Sequence, residues 1–138
     1  MQRVVLTLAV GIIATMCGGQ TARALPPYNK EWMAKYVSGN PNRKFVDAVA
    51  AVGKTSTAAS CNVCHKGTSK KDRNEYGIAV GQYLDKATYT GMIKNGVPDA
   101  AKSKWIREGL GKAAGDLSSD GQQTYGELIK AGKLPGEP

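Results

Sequence analysis

The sequence predicts an all-α domain of four to five short helices, and three observations carry that expectation. Apolar residues recur at one-turn spacing along several segments. No stretch sustains the period-two alternation of a half-buried strand. Glycine is frequent, at 17 of 138 residues, and large apolar residues are few, so the core needs a staple or a buried group to complete it.

The first segment stands outside that domain. Arg3 gives a positive start, and residues 4–14 form an apolar run broken only by Thr7 and Gly11. Ala22 and Ala24 then supply small residues before an expected cut after Ala24. This is the layout of a cleaved signal peptide over 1–24, with an apolar run too short for a comfortable membrane span. An uncleaved anchor is the alternative. A lipoprotein leader through Cys17 fits less well, because Met16 stands where a small residue is wanted. The expected domain is therefore 25–138, with no membrane span after leader cleavage.

Within it, Tyr28, Trp32 and Tyr36 lie one turn apart and predict a helix over 28–37, stopped by Gly39-Asn40-Pro41. Phe45, Val49 and Val52 predict a second over 44–52, ending at Gly53. A polar stretch over 54–60 leads to Cys61, and residues 66–71 read as a basic loop. Asp72 is the expected cap of a third helix, with Glu75 completing a capping box. Its apolar face is Tyr76, Val80, Tyr83 and Leu84. Residues 86–97 are ambiguous and hold Met92 in a loop-like setting between Gly91 and Gly96. Pro98-Asp99 opens a fourth helix through Ala114, with Trp105, Ile106 and Leu110 inward. After a loop over 115–121, a last helix over 124–131 turns Tyr125, Leu128 and Ile129 inward and stops at Gly132.

The chemistry concentrates in Cys61-Asn62-Val63-Cys64-His65, a C-x-x-C-H pattern, the attachment motif of c-type haem. Two thiols three positions apart reach two carbons on one porphyrin edge and form thioethers. The next residue then presents an imidazole below the ring, so His65 is the expected proximal iron ligand. A zinc site competes with this reading, but Cys61, Cys64 and His65 are the only Cys or His after the leader, so a carboxylate would have to be the fourth ligand. A thioredoxin-like dithiol would want a preceding strand in a βαβ setting, which the pattern lacks. The leader favours haem, since thioether attachment belongs outside the cytosol. The expected domain is thus a cytochrome-c-like bundle around one covalent haem.

The run from Cys61 to Gly67, the run from Lys70 to Gly77 and the tail from Thr124 to Pro135 resemble small monohaem cytochromes c of planctomycete bacteria. The likeness spans most of 44–135. It implies an exported cytochrome c in which Cys61, Cys64 and His65 keep their roles.

The distal side of the iron is open. There is no second His, so a Met sulfur is the first candidate. Met92 follows His65 in the order that class I cytochromes show, though nearer than their usual spacing. Met33 on the first helix is the other candidate, and a Lys or Tyr ligand or an open site remains. A second pattern, Asp116 to Gly121 with Glu127, outlines a calcium loop over 116–127. However, Gln123 sits where such loops bury an aliphatic residue, and a solvated turn capping the last helix is the plainer expectation.

Net charge is +8, and the leader removes only Arg3 and Arg23, so the mature chain stays basic. A basic exported protein suits an acidic partner; the leader and the absence of an aromatic-plus-basic RNA-binding motif argue against nucleic acid. Lys66, Lys70, Lys71 and Arg73 follow the motif and are expected near the haem edge. The expected function is periplasmic electron transfer between redox partners with an acidic docking face. A five-coordinate haem protein that binds a gas is the alternative. An enzyme of the peroxidase kind would want a distal acid–base group, and no His is spare.

Overall fold

The computed structural model describes residues 25–53, 61–67 and 71–136; the expected leader and the stretch over 54–60 lie outside these described residues. Most of the described chain is helical, and each helix has a local reason for where it starts. Pro26 and Pro27 open α1 (Pro26–Tyr36), where a missing N–H costs nothing. The Asn42 side chain accepts from the Phe45 amide at 3.3 Å and starts α2 (Arg43–Gly53). Asp85 caps α4 (Lys86–Lys94) by accepting from the Thr88 amide at 2.7 Å. The longest helix, α5 (Asp99–Gly115), begins at Pro98. Thr124 and Glu127 form a full capping box on α6 (Tyr125–Lys130), and Gly132 takes a φ of 82° just beyond it.

The third helix departs from expectation at its start. Asp72 does not cap it. Asp72 and Arg73 form a short strand, β2 (Asp72–Arg73), antiparallel to β1 (His65–Lys66), with His65 opposite Arg73 and Lys66 opposite Asp72. The ladder holds Asp72 extended, so the cap passes to Asn74, whose Oδ1 accepts from the Gly77 amide at 2.8 Å on α3 (Glu75–Tyr83). The ambiguous stretch also resolves: it is the helix α4, which puts Met92 on a helix rather than in a loop.

Helix α5 is the hub, packing on α1, α3 and α6. At Gly109 the approach is so close that a Cβ would run into the Leu84 side chain. The core includes Trp32, Phe45, Tyr76, Ile106 and Leu110, each nearly inaccessible. Several of its polar groups find partners inside the core. Trp32 Nε1 donates to the Tyr76 hydroxyl at 3.0 Å, and the Tyr36 hydroxyl donates to the Leu110 carbonyl at 2.9 Å. Arg107 donates to the buried Glu31 carboxylate at 2.8 Å, tying α5 to α1. Among the described residues, no helix is long and apolar enough to cross a membrane.

Candidate functional site

The segment Cys61–Val63 makes one 3₁₀ turn, closed by the Cys64 amide donating to the Cys61 carbonyl at 3.2 Å. Two asparagines clamp it. Asn62 Nδ2 donates to the Val52 carbonyl at the end of α2, at 2.8 Å. From the other side, the Asn74 amide donates to the Cys64 carbonyl at 3.1 Å and Asn74 Nδ2 to the Val63 carbonyl at 2.8 Å. Asn74 is only 5% exposed and also caps α3, so one side chain joins the motif turn to that helix. Gly77 completes the joint, because a Cβ there would land on the Cys64 carbonyl oxygen.

This clamping aims the motif into a cleft. Cys61, Cys64 and His65 all line one solvent-open cleft. Trp32 from α1, Val80 from α3, Leu84 just past its end and Leu110 from α5 give it apolar walls. Arg73 and Lys86 bring positive charge, and Tyr28 and Asn29 bring polar groups from the first turn of α1. His65 is buried, while Cys61 and Cys64 are partly so.

Burial governs the electrostatics. The Cys64 thiol is pushed up to about 12, by desolvation first and the neighbouring Cys61 second, with Arg73 opposing. At neutral pH that thiol stays protonated, unlike the low-pKa thiolate of a disulfide oxidoreductase. The Tyr28 hydroxyl is likewise raised, by burial and then by Asp85, whose carbonyl accepts from it at 3.1 Å.

The three motif residues are thus brought to one cleft, whereas the two candidate methionines are not among its lining residues. Met92 is half-buried on α4, and Met33 packs against the core from α1. Lys66 and Lys71 are exposed on the hairpin beside His65, and Lys70 lies outside the described residues. In the 116–127 segment each acid has a local task. Asp116 accepts from the Tyr83 hydroxyl, Asp120 from Ser118 Oγ and the Gln122 amide, and Glu127 from Thr124. Among the described residues, no three His, Cys, Asp or Glu side chains gather closely enough to hold a bare metal ion.

Sequence reasoning passed over Asn74 as a clamp and Lys86 and Tyr28 as cleft residues. Asn74 had a usable signal, an Asx side chain three residues before a helical glycine amide. Lys86 and Tyr28 had none, because their place in the cleft depends on how α1, α3 and α4 pack. The chain matches no protein-family model, no curated protein and no solved structure.

Proposed function

We propose that this protein carries one covalent c-type haem and serves as a one-electron carrier in the periplasm. The observation that carries the reading is the convergence of two thiols and an imidazole on one apolar-walled cleft. Cys61 and Cys64 would hold the group through thioethers, and His65 would ligate its iron. When bound, the haem supplies a reversible one-electron couple.

The chain's own residues suit that task. Asn62 and Asn74 keep the motif turn rigid through three hydrogen bonds near 3 Å, which limits rearrangement on a change of charge. Trp32, Val80, Leu84 and Leu110 keep the cleft wall dry, which tunes a redox group through the local dielectric. His65 is the protein's single histidine, so once committed to iron it leaves no imidazole for proton transfer. The exposed Lys66 and Lys71 beside the motif suit an acidic partner and faster encounter at low salt.

One observation favours a second reading, a five-coordinate haem that binds a small gas: neither Met33 nor Met92 lines the cleft. Absorption spectra of the chain co-expressed with haem-maturation machinery separate the two. Low-spin bands unchanged by carbon monoxide support the carrier, and Met92→Ala and Met33→Ala then test each sulfur. A high-spin spectrum that shifts with the gas supports the second reading. Absence of covalent haem overturns both.

A further inference from the structure

We infer that the cleft selects its ligand by carboxylates, with Arg73 and Lys86 as the anchoring cations. The inference rests on the haem reading and deepens it, since haem bears two propionates.

The hairpin register is the first support. His65 and Arg73 are directly opposite partners, and opposed residues of an antiparallel pair project to the same face. The ladder therefore sends Arg73 to the side where His65 enters the cleft, and both line it. The second support is Gly81. A Cβ there would collide with the Arg73 guanidinium, so the missing side chain is what lets the cation lie across α3.

The third support is what these cations do not do. Three ion pairs form among the described residues: Lys102 with Asp99, Lys104 with Glu108 and Arg107 with Glu31. None engages Arg73 or Lys86. Two cations beside an apolar cleft, with no carboxylate of the described chain paired to them, fit an amphipathic ligand that buries its apolar body and leaves anionic groups at the mouth. Lys86 is the first residue of α4 and exposed, which places it at that mouth.

The test uses the full chain expressed without haem-maturation machinery, and two probes, zinc protoporphyrin IX and its dimethyl ester. Quenching of tryptophan fluorescence reads binding, since Trp32 lines the cleft. The wild-type chain is expected to bind the dicarboxylate about tenfold more tightly than the ester, the scale of one or two charge-assisted hydrogen bonds at a partly exposed site. Arg73→Gln and Lys86→Gln each reduce that preference, weakening the dicarboxylate more than the ester. Gly81→Ala, which displaces the guanidinium, reduces it as well. Equal wild-type affinity for the two probes overturns the anchor and leaves the haem reading standing, as does an undiminished preference in both glutamine variants. Binding of neither probe overturns the haem reading and the anchor with it. Lys86→Gln lies on an exposed position, so it keeps the test decisive if Arg73→Gln disturbs the hairpin.

Discussion

Helices α4 and α5 are consecutive in the chain and are held by opposite means. Helix α5 buries Ile106, Gly109, Leu110 and Ala113 against three other helices. Helix α4 buries no residue at all. It is kept by the Asp85 cap and by Tyr89, whose ring meets Tyr28 at 5.5 Å and Trp105 at 6.5 Å. A nine-residue helix is marginal in water without packing, so α4 sits at the low end of local stability and α5 near the global value. The lesson is that one cleft has a rigid wall, α5, and a looser rim, α4.

The largest expected effect sharpens this contrast. Ile106→Ala on α5, at a position 1% exposed, should destabilise by ~2–5 kcal/mol through lost burial and a residual cavity. Ile93→Ala on α4, at a position 53% exposed, should change stability by ~0.5 kcal/mol or less. Urea unfolding followed by helical circular dichroism measures both; similar losses would erase the distinction.

Next comes one substitution with opposite signs. Gly109→Ala pushes a Cβ into Leu84 and should cost ~1–3 kcal/mol by overpacking. Gly91→Ala on α4 meets nothing within 4 Å and should stabilise by ~0.5–1 kcal/mol, because alanine loses less freedom on entering a helix. Midpoints moving the same way in the same assay would break the comparison.

A pH dependence also attaches to the packed side. Burial raises the Tyr36 hydroxyl from 10.0 to about 12, where it donates to the Leu110 carbonyl of α5. The folded state therefore holds this proton more tightly than the unfolded one. Its contribution is whole below pH 10 and is lost as pH rises toward about 12. Tyr36→Phe should flatten that part of the alkaline stability curve, and an unchanged slope would remove Tyr36 as its source.

Much of this was legible because it is local. Helical spacing located α1, α2, α5 and α6 within a residue or two, and the Thr124–Glu127 box is a short-range pattern. The failure at Asp72 was also instructive. Asp72 and Asn74 are both good caps, and choosing between them required knowing that residues 72 and 73 pair with 65 and 66. The 86–97 stretch was ambiguous because Thr88, Thr90 and Gly91 weaken helix propensity, while the Asp85 cap and the Tyr89 contacts tip it to helix.

By itself the sequence determined what covalent spacing and one-turn interactions can determine: helix starts and stops, and two thiols and an imidazole within five residues. The tertiary structure alone decided the rest. Trp32, Leu84, Leu110 and Lys86 reach the cleft from three different regions of the chain. The hairpin register turned Arg73 from one of several lysine and arginine neighbours into a partner of His65. Gly77, Gly81 and Gly109 acquired meaning only where another segment came close enough to exclude a Cβ. The reason is range: capping and periodicity act across three or four residues, whereas a cleft is made by packing among residues dozens of positions apart.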